Sequence, residues 1–102
     1  MKVITWNVNS VRQRGPRLLA LLTRHAPDVV CLQETKVEDA DFPGADILEA
    51  GYHSVAFGQR AYNGVAILAR EPITDVRLGF RGDPVPGEAR VLAATVGDLR
   101  VL

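Results

Sequence analysis

At 102 residues and 11.1 kDa the chain is one domain or a piece of one, since single domains usually span roughly 100–200 residues. Its 47% apolar and 24% charged side chains are ordinary for a globular protein and argue against disorder, and a single cysteine, Cys31, excludes an internal disulfide and fits a reducing cytosol. The 12 basic and 12 acidic side chains cancel, so the chain lacks the strongly basic balance of many nucleic-acid-binding domains.

In chain order, Lys2–Asn7 reads as a buried strand, with β-branched and aromatic content from Val3, Ile4 and Trp6, and Asn9-Ser10 breaks it. From Pro16 to His25 the sequence has high helix propensity and an apolar stripe at Leu18, Leu19, Leu21 and Leu22. Pro16 suits a first helical turn and Pro27 stops the helix. Val29–Gln33 is a second short strand, so strand, helix and strand form a βαβ unit whose strands should be parallel. A short helix is expected around Ala45–Glu49, followed by strands at Tyr52–Phe57, Val65–Ala69, Asp75–Leu78 and Arg90–Val96. Residues 58–64 and 79–87 read as connections, Gly97-Asp98 as a turn, and Leu99–Leu102 as the start of another strand. That last strand has no polar tail, which reads as a cut through a domain. No apolar run approaches the roughly 20 residues of a membrane-spanning helix, and the N-terminus lacks the pattern of a secretory signal.

Charge is unevenly placed. Residues 1–27 carry Lys2, Arg12, Arg14, Arg17 and Arg24 and no acid, whereas Asp28, Glu34, Glu38, Asp39, Asp41, Asp46 and Glu49 crowd residues 28–49 against Lys36 alone. From charge alone this is solvated surface, yet it suits a protein that holds a polyanion with one part and a metal with another.

Parallel α/β units bind ligands beyond the carboxyl ends of their strands. Asn7 ends the first strand and Glu34 follows the second; neighbouring strands would bring these ends to within about 5 Å. Glu34 supplies the hard anionic oxygen that Mg²⁺ prefers, Asn7 could orient a phosphate oxygen or a carboxylate, and Arg12 and Lys36 stand where phosphates would approach. Strand-end Glu and Asn residues are more often caps or surface groups, so spacing alone does not assign catalysis.

The motifs Trp6-Asn7-Val8-Asn9-Ser10-Val11-Arg12 and Pro27-Asp28-Val29-Val30-Cys31-Leu32-Gln33-Glu34-Thr35-Lys36 together are specific. With Gly51-Tyr52-His53, Gly58-Gln59-Arg60, Tyr62–Leu68 and Glu88–Ala94, they resemble the N-terminal part of the exonuclease III family of apurinic/apyrimidinic endonucleases, across nearly the whole chain. The resemblance implies an α/β (α+β) fold, namely the front of a four-layer α-β-β-α sandwich of the endonuclease/exonuclease/phosphatase type. It further implies Mg²⁺- or Mn²⁺-dependent phosphodiester hydrolysis on duplex DNA with abasic sites or 3′ ends: incision 5′ to an abasic site, 3′→5′ exonuclease action and 3′-end cleaning. By the same resemblance Glu34 and Asn7 are the metal-site and catalytic residues, and Arg12, Lys36, Arg60, Tyr62, Asn63 and Arg90 approach the DNA. The setting implied is bacterial-type, cytoplasmic and nucleoid-associated, with a monomeric full enzyme and no membrane.

Family members are considerably longer. A tyrosine after the next strand, an Asp-x-Asn pair, a further metal-site aspartate and a final Asp-His pair have no counterpart in these 102 residues, and His25 and His53 cannot replace that pair. The expectation is therefore a single truncated domain over residues 1–102, inactive as an isolated chain and prone to self-association. Two alternatives stand beside it: a non-catalytic fragment or weak DNA-binding module, and another phosphoesterase of the same superfamily.

Overall fold

The structure is a computed structural model that describes residues 1–58, 63–78, 92–97 and 99–101. Among the described residues the elements follow in the order β1 (Val3–Asn7), α1 (Val11–His25), β2 (Val29–Gln33), α2 (Gly44–Glu49), β3 (His53–Phe57), β4 (Val65–Ala69), β5 (Ile73–Leu78), β6 (Leu92–Val96) and β7 (Leu99–Val101), with a 3₁₀ turn at Asp39–Asp41. The first sheet has the order β1-β2-β4-β3, in which β1 and β2 are parallel and the other pairs antiparallel; β5-β6-β7 form a second, antiparallel sheet. The mixed α/β architecture with two sheets expected from the sequence is present.

Side-chain alternation along the central strands builds two cores. Val30, Leu32, Ala66 and Leu68 point to the helix side, where they bury against Val11, Leu18 and Leu22 of α1 and Ile47 of α2. Val29, Ile67 and Ala69 point the other way and pack on Ala94, Val96 and Val101 of the second sheet, with half-buried Cys31 beside them. The result is three layers, helices on sheet on sheet. Burial pushes the Cys31 thiol up from its ordinary value, so it behaves as a small apolar residue there.

The chain departs from sequence expectation in its first two elements. Among the described residues β1 is an edge strand and not a buried one: Ile4 and Trp6 pack toward α1, while Val3, Thr5 and Asn7 face the other side exposed, Val3 at 52%. The second sheet lies against β3 and β4 and stops short of β1 among the described residues. Helix α1 starts at Val11, five residues before Pro16, so this proline sits inside the helix. Pro16 has no N–H for the carbonyl of Arg12 and would be expected to break a helix. Tertiary hydrogen bonds carry the first turn instead: Val11 N–H donates to Thr35 O at 2.9 Å and Ser10 N–H to Glu34 O at 2.9 Å. At the other end Ala26 adopts a left-handed conformation (φ 43°), and its N–H closes on Leu22 O. His25 is an exposed residue there, its carbonyl accepting from Lys2 Nζ at 3.0 Å, and His53 lies exposed at the start of edge strand β3.

Smaller differences have local causes. Tyr52 precedes β3 and is buried, its hydroxyl donating to Pro27 O at 2.6 Å. β5 begins at Ile73, ahead of the expected Asp75, and its pairing with β6 shifts register between Thr74 and Arg77, where Asp75 has φ 49°. Arg100 holds that irregularity, donating to Asp75 O at 2.7 Å and to Thr95 Oγ1 at 3.0 Å. The expected connection over 79–87, the segment 88–91 and the turn residue Asp98 lie outside the described residues.

Candidate active site

Parallel pairing of β1 with β2 matches Asn7 to Gln33, which puts Glu34 one step past the rim. The two segments stay together beyond the strand ends, since Val8 N–H donates to Gln33 O at 3.0 Å before the bonds from Ser10 and Val11. On the far side Thr35 N–H donates to Gly64 O at 3.2 Å and Lys36 N–H to Asn63 O at 2.9 Å. The segment 34–36 is thus laced between the loop after β1 and the turn before β4. Such a path needs unusual backbone angles: Asn9, Ser10, Glu34, Lys36 and Asn63 all have φ between 45° and 84°.

This lacing sets four side chains in a closed ring. Asn7 Nδ2 donates to Glu34 Oε2. Glu34 Oε1 lies 3.6 Å from Lys36 Nζ. Lys36 Nζ donates to Asn9 Oδ1 at 2.6 Å, and Asn9 N–H donates back to Asn7 Oδ1 at 3.1 Å. The amide orientation of Asn7 follows from chemistry, because a carboxylate needs a donor and a backbone N–H needs an acceptor. Asn7 and Asn9 are exposed and Glu34 and Lys36 half-buried, so the ring opens to solvent. Asn9 stood in the sequence as a strand breaker and as part of the Trp6–Arg12 motif, with no role of its own assigned. Its spacing of two from Asn7 and the tolerance of asparagine for left-handed backbone were the available signals.

Beside the ring runs an open groove of about 760 Å³ lined by Asn9, Ser10, Arg12, Gln13, Lys36, Val37, Glu38 and Asp41. Two cations and two acids share it, which gives a mixed surface and not a uniformly basic one. Of the residues expected to approach DNA, Arg12 and Lys36 line this groove, and Asn63 meets Lys36 through its backbone. Arg60, Tyr62 and Arg90 lie outside the described residues.

The donor set decides what cation would suit the ring. Among the described residues no group of three or more His, Cys, Asp or Glu side chains comes together, so a zinc-type cage is not built here. One carboxylate with a carboxamide beside it fits Mg²⁺ or Mn²⁺, since Mg²⁺ is commonly held by one or two carboxylates with water and phosphate completing the shell. Glu34 would be the anionic ligand of such an ion, and the bond from Asn7 Nδ2 orients its carboxylate.

Residues 4–102 match the family described as Endonuclease/Exonuclease/phosphatase family. The chain belongs to that family. Similarity runs to its DNA-processing members. Exodeoxyribonuclease III of Haemophilus influenzae is 37% identical over 94 residues, covering 92% of this chain and 35% of its own length. The solved structure of a 3′-5′ exonuclease, NExo, from Neisseria meningitidis superposes with a TM-score of 0.94 at 44% identity, over 98% of this chain and 39% of that one. An AP endonuclease from Archaeoglobus fulgidus superposes at 0.93 with 39% identity, over 98% and 38%. NExo is also solved bound to a product DNA hairpin, at a TM-score of 0.91, 44% identity, and 98% and 39% coverage. The chain therefore spans between a third and two fifths of the length of these relatives.

Proposed function

We propose that the ring at the β1–β2 rim is the N-terminal share of the active site of a Mg²⁺- or Mn²⁺-dependent DNA-repair nuclease, cytoplasmic and nucleoid-associated. The reaction is phosphodiester hydrolysis on duplex DNA: incision beside an abasic site, 3′→5′ exonuclease action and cleaning of blocked 3′ ends. The observation that carries this reading is the Asn7–Glu34–Lys36–Asn9 ring, an open carboxylate held between a carboxamide and an ammonium beside a groove with Arg12 on its wall.

Glu34 and Asn7 would hold the metal, Glu34 as the anionic ligand and Asn7 as the group that aims it. The bound ion supplies Lewis-acid polarisation of the scissile phosphate. Lys36 limits the negative charge of Glu34 when phosphate approaches and offers its own donors to a phosphate oxygen. Arg12 and Asn63 bind the backbone of the duplex and set its register without reading bases, which suits an enzyme that must act in any sequence. An abasic nucleotide has no base to unpair, so it leaves the stack at low cost.

Activation of the attacking water requires a base beyond a carboxylate already committed to metal. The chain spans between a third and two fifths of the length of its relatives, so that base is expected from outside residues 1–102, which by themselves should be inactive. The test is to incubate the chain with an abasic duplex and Mg²⁺ while following the Glu34 and Asn7 resonances by NMR. Metal-dependent shifts that vanish in Glu34→Ala, with no nicking, are the expected result. Unmoved Glu34 resonances at saturating Mg²⁺ would sink the metal reading, and Glu34-dependent nicking would overturn the inactivity.

A further inference from the structure

Thr35 carries a feature the catalytic reading leaves unused. Its side chain is buried, at 1% exposure, yet Oγ1 has no hydrogen-bond partner among the described residues. Buried hydroxyls are costly when unpaired, so the residue is kept for something other than its polarity. The turn before β4 shows what that is. A Cβ built on Gly64 would stand 2.1 Å from Thr35 Oγ1, 3.3 Å from Thr35 Cβ and 3.1 Å from Lys36 N. Gly64 has φ +98°, and Thr35 lies against its bare Cα. β-Branching makes threonine stiff at χ1, so the side chain is a rigid wedge.

The residues on either side of the wedge, Glu34 and Lys36, have φ of 55° and 58°. Non-glycine residues hold such angles only when their surroundings over-determine them. Backbone bonds do part of this: Ser10 and Val11 donate to the carbonyls of Glu34 and Thr35, while Thr35 and Lys36 donate to those of Gly64 and Asn63. Those bonds clamp the segment from two sides, and the Thr35 side chain packs between them against the bare Cα of Gly64.

We infer that Thr35 and Gly64 form a positioning lock, in which the threonine side chain occupies the space of the missing Cβ and thereby aims the Glu34 carboxylate at Asn7. Thr35 and Gly64 are positioning residues and do not touch substrate. The inference concerns the site under Proposed function and rests on that reading for its catalytic meaning, but the lock itself is a property of the apo chain.

The Asn7 side-chain amide protons, which donate to Glu34, read the lock without metal. Thr35→Ala removes the wedge while leaving every backbone bond, and should move these protons toward free-amide positions in a protein that still folds. Gly64→Ala should do the same from the opposite side. The near-isosteric Thr35→Val keeps a branched group in that space and loses only the unpaired hydroxyl, and should hold the wild-type amide shifts. Added Mg²⁺ should bind about 10–100-fold more weakly in each single variant, the usual cost of losing a group that orients a ligand. Unchanged amide protons in Thr35→Ala, or amide protons displaced in Thr35→Val as far as in Thr35→Ala, would overturn the lock. Absence of Mg²⁺ binding in the wild-type chain would instead defeat the metal reading, and the amide protons would still decide on the lock.

Discussion

Replacing Glu34 by glutamine separates what this side chain does for the fold from what it does for the site. The ion pair with Lys36 spans 3.6 Å between side chains that are 44% and 28% exposed. At that distance two unit charges attract by about 1.2 kcal/mol in water's dielectric and about 4.6 kcal/mol at an effective dielectric of 20. Exposure on both sides puts the pair nearer the first figure, and ordering two long side chains offsets much of it, so its net worth is below about 1 kcal/mol. Glutamine keeps an oxygen for Asn7 Nδ2 to donate to, and Lys36 keeps Asn9 Oδ1. Glu34→Gln should therefore lower the melting temperature by no more than about 4–8 °C, the shift that 1 kcal/mol produces in a domain of this size.

The effect on metal should be far larger, because an amide oxygen is a poor substitute for the only carboxylate of the ring. With Mg²⁺ at ten times its dissociation constant, mass action stabilises the wild-type chain by about 1.4 kcal/mol. Thermal melts with and without Mg²⁺ should show that rise in the wild type and none in Glu34→Gln. A Mg²⁺-dependent rise that survives the substitution would place the metal elsewhere. A collapse of the metal-free melt by much more than 8 °C would make Glu34 a structural residue, and the reasoning from exposure would be wrong.

Tyr52→Phe should cost about 1–3 kcal/mol in denaturant melts, since it leaves the buried carbonyl of Pro27 without its donor. The pH dependence has a definite sign: burial raises the Tyr52 phenol above its ordinary 10.0, with Asp28 adding to this and Arg70 opposing it. The unfolded chain then loses this proton first, so the stability tied to the neutral phenol is intact below pH 10 and is lost as pH rises from there through the folded value. The alkaline limb of a stability–pH curve should be flatter in Tyr52→Phe, and an unchanged limb would remove Tyr52 as its cause. Leu68→Ala, on a fully buried side chain of the central strand β4, should cost about 2–5 kcal/mol and shift the urea midpoint without changing the slope.

What could be read from the sequence were the features that local chemistry decides. Val29–Gln33 and Val65–Ala69 became β2 and β4 within the expected bounds, because β-branched apolar runs between turn residues have few other uses. Pairing of Asn7 with Glu34 followed once β1 and β2 were taken as neighbours. Tertiary bonds decided the rest. Pro16 looks like a helix start because a lone helix could not absorb it; the carbonyls of Glu34 and Thr35 supply what the first turn needs, from residues some twenty positions away. The exposed face of β1 could not be read either, since Val3-Ile4-Thr5-Trp6 is apolar enough to be buried on both sides, and only the reach of the second sheet shows that it is not.

The most informative sign of the site is one the sequence hides. Among the described residues seven non-glycine ones have positive φ: Asn9, Ser10, Ala26, Glu34, Lys36, Asn63 and Asp75; the first two and Glu34, Lys36 and Asn63 lie at the rim. Asparagine visits this region at modest cost, and Ala26 is explained as a helix terminator. Glutamate and lysine have no such local excuse. A simple connection from β2 would have avoided them, and a glycine at either position would have relieved them. Holding both on either side of a buried threonine turns Glu34 back toward Asn7 and brings Lys36 round to its other oxygen, a placement that an extended chain, with side chains alternating to opposite faces, would not give. The strained backbone is therefore what converts two adjacent strand ends into a carboxylate with a fixed direction, and it is maintained by hydrogen bonds to two separate segments, 10–11 and 63–64, and not by the preferences of the residues that bear it.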